Sequence, residues 1–461
     1  MASVLTVINP ATEAVLRELQ EDDRASLEQK TAAACAAQPA WASMPITERI
    51  RIVRRFGELL AARRDPLAAL LTSEMGKPIR HAKNELRAMQ ERIDFFLEHT
   101  GHAVGDEVVR QSLPPPDVNE RISYEPLGVI ANVSAWNYPY FVGSNVFLPA
   151  LLTGNAVLYK PSEHATLTGL AITELLHEAG VPRDVFAPVV GAGGTGAALL
   201  VQNIDAVFFT GSYATGKKIA EAAAGGLLRV QLELGGKDPA YVCDDVDIAG
   251  AAVALAEGAF YNAGQSCCAV ERIYVHRRIA APFTEAFVAE VRRFAVGDPT
   301  DERTYVGPLA RQAQLAVLED QVADAVRLGA RLELGGARCS GRGFFFAPTV
   351  LTRVDHRMKV MRDESFGPII GIQEVDDDGQ AVALMNDTDC GLTAAVYTPD
   401  RVRAERILTQ TNTGTVYWNC CDRVSPRLPW SGRKHSGLGT TLSVEGIRAF
   451  VRPKAWHLRG G

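Results

Sequence analysis

Apolar residues at positions 47–64 (Ile50, Val53, Phe56, Leu59 and Leu60) recur at three- and four-residue steps among arginines. That spacing predicts a helix with one buried face. Residues 86–96 repeat it, so the first third of the chain reads as helical. Leu113-Pro114-Pro115-Pro116 breaks the pattern, and the alternation over 120–124 predicts a strand pair or arm. From Gly128 to about Leu234 the texture changes. Short apolar runs at 129–133, 156–160 and 206–209 read as buried strands, with helices at 166–178 and 216–224 between them. Strand and helix in alternation predict a parallel sheet covered on its faces, with ligands beyond the carboxyl ends of the strands. A second α/β region follows Gly235. It carries helices at 247–257, 282–291 and 312–328, the last closed by Gly329, and strands at 272–276, 394–397 and 414–417. The tail at 449–454 reads as an edge strand, and no internal repeat is visible.

Composition narrows the class. The 461 residues are 47% hydrophobic and 22% charged, enough for a sizeable core and against disorder. At about 150 residues per domain, two or three domains are expected. A net charge of -6 argues against a nucleic-acid binder. The eight cysteines show no CxxC spacing, so no metal site is expected, and so few in so long a chain point to a reducing cytoplasm. Residues 1–10 carry no basic leader, and no apolar run reaches membrane-spanning length, so neither export nor a membrane partner is expected.

Four short segments can carry chemistry. In Gly264-Gln265-Ser266-Cys267-Cys268-Ala269 a thiolate on a small-residue loop is a nucleophile, or else a buried structural cysteine. In Leu232-Glu233-Leu234-Gly235-Gly236-Lys237 a partly desolvated carboxylate is a general base, or a salt bridge at a strand end. Lys160-Pro161-Ser162-Glu163 and Phe209-Thr210-Gly211-Ser212 follow strands. The second leads into a helix whose free N–H groups favour phosphate, whereas Glu163 can take both hydroxyls of a ribose and repel a 2′-phosphate. Asn137, in Ala135-Trp136-Asn137-Tyr138-Pro139, can stabilise an oxyanion or serve a plain turn. No GxGxxG fingerprint supports a dinucleotide site, and the glycines at 191–196 are weak alone.

The joint order of these segments is specific. Trp136-Asn137-Tyr138-Pro139, Lys160-Pro161-Ser162-Glu163, Phe209-Thr210-Gly211-Ser212, Glu233-Leu234-Gly235-Gly236-Lys237, Gly264-Gln265-Ser266-Cys267, Glu364-Ser365-Phe366-Gly367-Pro368 and Ser436-Gly437-Leu438-Gly439 resemble, in order, the motifs of the aldehyde dehydrogenase superfamily. The likeness runs from Ile8-Asn9-Pro10-Ala11-Thr12 to the terminal strand, and the 34 residues from Glu233 to Cys267 fit it. The resemblance implies an α/β protein of two doubly wound parallel-sheet domains plus a small β oligomerisation arm. A Rossmann-like NAD-binding domain would span 1–107 and 125–234, a catalytic domain 235–435, and arm and tail 108–124 and 436–461.

The resemblance also implies the roles. Cys267 is the nucleophile, Asn137 and the Cys267 N–H hold the oxyanion, and Glu233 activates the hydrolytic water. Trp136, Lys160, Ser162, Glu163, Gly191, Gly211, Ser212, Glu364 and Phe366 hold the cofactor, NAD rather than NADP because of Glu163. Retention of Glu233 points to water, not CoA, as acyl acceptor, and retention of both Glu233 and Cys267 argues against a non-catalytic homologue. An esterase or acyl transferase acting through Cys267 is the other enzymatic reading. Ala135, Val146 and Thr440-Thr441 depart from the family pattern, and the last two bear on an auxiliary proton relay.

Tyr138, Phe141, Asn145, Tyr261, Ser266, Asp422 and Trp430 are expected along the substrate tunnel. A medium aliphatic or aromatic aldehyde is the first reading. An amino- or trimethylammonium-aldehyde held by Tyr138, Tyr261 and Trp430, with Asn145 breaking the box, is the second. Arginines of animal-type succinic-semialdehyde enzymes are missing at Asn145 and Tyr261, so a semialdehyde would have to use Arg423 or Arg427. A homodimer or homotetramer is expected, because arm and tail edges exposed in a monomer are a liability.

Overall fold

The computed structural model describes residues 3–112 and 118–459. The proline break read at 113–116 lies outside them. The chain opens not with helix but with an antiparallel hairpin, Val4–Ile8 against Val15–Gln20. Four helices follow, Arg24–Ser43, Ile46–Ala62, Arg64–Met75 and Ile79–Ala103. The apolar steps read at 47–64 are those of Ile46–Ala62, which buries Ile52, Val53, Phe56, Leu59 and Leu60. The stripe at 86–96 is the middle of Ile79–Ala103, buried at Leu86, Met89, Ile93 and Phe96.

The first sheet runs Gly437–Leu438, Arg229–Glu233, Ala206–Thr210, Val129–Val133, Ala156–Lys160, Phe186–Pro188. It is parallel throughout except for Gly437–Leu438, which lies antiparallel against Leu232 and Glu233. Side chains alternate between its faces. Ile130, Val157 and Phe208 meet the core of Ile46–Ala62, Ile79–Ala103 and Pro139–Leu152. Val129, Ala131, Ala156 and Leu158 meet Leu27, Ile219 and Ala223 on the other face. Burial on both faces explains why these strands read as continuous apolar runs.

The second sheet runs Arg331–Leu334, Thr349–Thr352, Ile369–Val375, Val270–His276, Asp238–Val242, Thr393–Tyr397, Thr415–Trp418, parallel except at its first pair. Tyr241 and Tyr274 face one helical layer, whereas Ala240, Val242, Ile273 and Val275 face the other. Both sheets are therefore doubly wound. A third, antiparallel sheet projects as an arm, with Val451–Arg459 against Val118–Pro126 against Glu107–Ser112. The tail thus divides: 437–438 edges the first sheet and 451–459 builds the arm. Among the described residues, no helix is long and apolar enough to cross a membrane.

Two elements had no pattern to read. Pro139–Leu152 is buried on nearly every side, so it shows no stripe. The central strand Asp238–Val242 opens with Asp238-Pro239, the signature of a turn.

One turn positions the chemistry. Tyr261–Gly264 holds three successive residues in the left-handed region, with φ of 54° at Asn262, 56° at Ala263 and 69° at Gly264. A Cβ at Gly264 would run into the carbonyl oxygen of Gly367, so only glycine brings this turn against the segment that leads into Ile369–Val375. Gly264→Ala should destabilise the fold by about 1–3 kcal/mol, the cost of a strained backbone site. Urea denaturation checks this, and an unchanged midpoint would contradict it.

Candidate active site

The carboxyl ends of the first sheet open into a cleft of about 530 Å³. The loop after Val129–Val133 brings Trp136 and Asn137 to its wall, the loop after Ala156–Lys160 brings Ser162 and Glu163, and the turn after Ala206–Thr210 brings Gly211 and Ser212. Ser212 caps the helix Tyr213–Ala224, its hydroxyl accepting the Thr215 N–H at 3.4 Å. Glu364 and Phe366 reach the same cleft from the second sheet's side, and Phe366 meets Trp136 edge to face at 5.4 Å. Gly191 does not line the cleft. It precedes the helix Gly193–Leu199 at φ 151°, where a Cβ would run into Thr195, and Gly193 and Gly196 form the wall instead.

Charge in this cleft is tuned by burial. The Lys160 ammonium is buried and pushed down, with Nζ donating to the Pro161 carbonyl at 3.3 Å. Glu163 is held below the usual carboxylate range. Burial pushes it up, but its own backbone N–H, Lys160, His164 and the Ser162 hydroxyl at 3.2 Å outweigh that. Glu364 is pushed up to about 7 by burial and by neighbouring Glu271, although its Oε1 accepts the Gly236 N–H at 3.1 Å.

A second cavity, of about 470 Å³, lies between Ile79–Ala103, Pro139–Leu152 and the loops at 419–424 and 430. All seven expected tunnel residues, Tyr138, Phe141, Asn145, Tyr261, Ser266, Asp422 and Trp430, line it. Cys267 and Glu233 line both cavities, so thiol and carboxylate stand at the neck between them.

The loop that carries Cys267 is tied down by amides. Asn137 Nδ2 donates to the Gln265 carbonyl at 3.2 Å, and Asn262 Nδ2 donates to both the Asn137 and Gln265 carbonyls, at 3.2 and 3.1 Å. Gln265 Oε1 accepts the Ala310 N–H at 2.9 Å. Cys267 is half-buried, whereas Cys268 is buried with its thiol pushed well up by its hydrogen bond to Cys267 and by burial. The Cys268 S–H donates to Asp422 Oδ1 at 2.9 Å, which keeps that sulfur a thiol and away from nucleophilic work. Glu233 is buried and its carboxyl pushed up by that burial. The Thr441 hydroxyl, the Gln231 amide at 3.3 Å and the charge of Arg92 oppose the shift.

Two parts of the site escaped the sequence reading. Arg92 occupies the buried face of Ile79–Ala103, one turn from Met89 and Phe96, and lines the second cavity. A charge on an apolar stripe was the available signal. Lys77 and Glu85 form a fully buried ion pair behind Tyr138, joined only by folding. Thr441 reaches Glu233 through the bridge that pairs Thr441 with Trp430. Of the two arginines offered for a semialdehyde, Arg423 stands exposed at the cavity near Glu257, and Arg427 lies outside it, paired with Glu91 at 2.5 Å.

A sequence model of the aldehyde dehydrogenase family matches residues 2–456. The chain belongs to the aldehyde dehydrogenase family. It is 35% identical to betaine aldehyde dehydrogenase 1 of Rhizobium meliloti, covering 100% of this chain and 94% of that protein. Its fold superposes on the NAD-dependent aldehyde dehydrogenase of Sinorhizobium meliloti with a TM-score of 0.96 at 32% identity, over 99% of this chain and 92% of that one. An E. coli NADP-dependent enzyme gives the same TM-score at 32% identity, over 99% and 95%.

The environment of Glu233 sets a pH dependence for this family member. The Thr441 hydroxyl favours the ionised carboxylate, so removing it raises the pH at which Glu233 titrates. Thr441→Val should move the acid limb of the kcat–pH profile to higher pH. A limb that stays in place or moves down would show that Glu233 is not the group observed.

Proposed function

We propose that this chain oxidises an aldehyde to a carboxylic acid, with Cys267 carrying the acyl group, NAD taking the hydride and water releasing the product. The observation that carries this reading is the neck: one thiol and one buried carboxylate shared by two cavities. The first cavity suits a dinucleotide. It is of ordinary cofactor-site size, lies beyond the carboxyl ends of a parallel sheet, and combines a helix N-terminus with Lys160, Lys218 and Arg311. Ser212 with the helix start would hold the diphosphate, Glu163 and Lys160 the adenine ribose, Glu364 the nicotinamide ribose, and Trp136 and Phe366 the walls. The unit built on the first sheet would then hold the cofactor, and the unit on the second would carry the thiol.

The Cys267 sulfur adds to the aldehyde carbon, forming a C–S bond and an oxyanion. One Asn137 N–H is spent on Gln265; the other, with the Cys267 N–H, would hold that oxygen. Bound in the first cavity, NAD would supply the hydride acceptor, so that collapse of the oxyanion leaves the acyl group on Cys267 as a thioester. Glu233 takes a proton from water as the water attacks the thioester, and the thiolate leaves. Tyr138, Phe141 and Trp430 line the path by which the aldehyde would reach the thiol.

The arm supports assembly as a homodimer or homotetramer. Its outer strands Glu107–Ser112 and Val451–Arg459 present free edges, and Val108 and Val109 are exposed on the first.

Cys267→Ala should abolish aldehyde-dependent NADH formation, and near-normal turnover would refute the assignment. Wild-type kcat/KM should favour NAD over NADP, with Glu163→Gln narrowing the gap. An NADP preference in the wild type would overturn the role given to Glu163.

A further inference from the structure

The aldehyde-side cavity contains a buried cation that is not neutralised within the described residues. Arg92 is only 5% exposed, yet no carboxylate oxygen of the described residues lies within 4.0 Å of it. Lys77, equally deep, has Glu85. Arg92 Nε donates to Asn145 Oδ1 at 3.2 Å, and its guanidinium carbon lies 3.9 Å from the centre of the Phe141 ring. These two contacts fix the plane of the fork. Its two terminal nitrogens have no hydrogen-bond partner among the described residues, and the side chain lines the cavity.

The other charged side chains around this cavity are engaged inside the protein. Glu91 pairs with Arg427 at 2.5 Å, Glu257 with Arg423 at 3.8 Å, and Arg87 donates to Asn84 at 2.8 Å. Glu233 has Thr441 and Gln231, and Asp422 has Ser266 at 3.2 Å and Cys268 at 2.9 Å. Two of the three aromatic rings that could box a cationic head are already engaged. Lys77 Nζ already lies 3.7 Å over Tyr138, Arg92 covers Phe141, and Tyr261 stacks on His81 at 3.8 Å. A desolvated, unpaired guanidinium is costly unless something completes it, and a planar fork is matched by a carboxylate.

We propose that the cavity selects aldehydes bearing a carboxylate at the end remote from the carbonyl, with Arg92 as the receptor for that carboxylate. The proposal rests on the dehydrogenase reading and names its substrate class. Arg92 makes no contact with the reacting atoms; it binds and sets specificity.

The test is NADH formation from succinic semialdehyde, glutaric semialdehyde, butanal, pentanal and trimethylaminobutyraldehyde, with wild type, Arg92→Gln and Arg92→Lys. The wild type should favour the semialdehydes over neutral aldehydes of equal length by about tenfold or more in kcat/KM, the worth of a charge-assisted pair. Arg92→Gln should lose about ten- to a hundredfold more on the semialdehydes than on butanal and pentanal, through KM, and Arg92→Lys should restore part of that difference. Should Arg92→Gln not fold, the wild type alone decides. Succinate should inhibit pentanal oxidation competitively against the aldehyde, and succinamide should not. Semialdehydes no better than neutral aldehydes, a preference for the trimethylammonium substrate, an equal loss on all substrates in Arg92→Gln, or equal inhibition by succinate and succinamide would each overturn the inference and leave the dehydrogenase intact. If no aldehyde reduces NAD, the dehydrogenase reading fails and this one with it.

Discussion

The site depends on a knot of amide hydrogen bonds. Asn137 stands at a strand end of the first sheet, Asn262 and Gln265 in the turn before the thiol, and their side chains and carbonyls bind one another within a few ångströms. Each donor and acceptor in the knot is buried, so breaking one leaves an unsatisfied polar group inside the protein. The same amide that ties the loop down also faces the cavity. The left-handed turn at Asn262, Ala263 and Gly264 bends the chain sharply enough for the knot to close.

Around that knot, charge is buried in two ways. Lys77 with Glu85, and Lys237 with Glu271 at 2.5 Å, are complete pairs that hold elements together. Glu271 also accepts the Ser365 and Phe366 N–H groups, which places the segment bearing Glu364. Glu233, Glu364 and Lys160 are different. None of the three is in an ion pair among the described residues, each is shifted by burial toward its neutral form, and each faces a cavity. Val146 is packed into the core, and the Thr441 hydroxyl bonds Glu233.

The fold was legible wherever one face of an element meets water or wherever a strand is apolar throughout. Ile46–Ala62 and Val129–Val133 are cases of each. Legibility failed where a helix is buried all round, as in Pro139–Leu152, and where turn chemistry opens a central strand, as at Asp238-Pro239. The residues around Cys267, Glu233 and Asn137 stood out because their neighbours are glycines and small polar residues whose backbone needs are specific. Gly191 misled because glycine also serves a tight turn that never meets the cleft. Lys77 gave no local sign that folding would bury it, and the apolar stripe around Arg92 marked its burial but not its partner. Their meaning comes from packing partners 53 and 8 residues away, Asn145 and Glu85.

The central claim is that one sulfur, between two cavities, carries the acyl group. It is tested most directly by rapid quenching of Glu233→Gln mixed with NAD and an aldehyde, followed by peptide mass mapping. The account predicts one equivalent of NADH and an acyl adduct on Cys267. An adduct on Cys268, or NADH formed with no acylated cysteine at all, would contradict it.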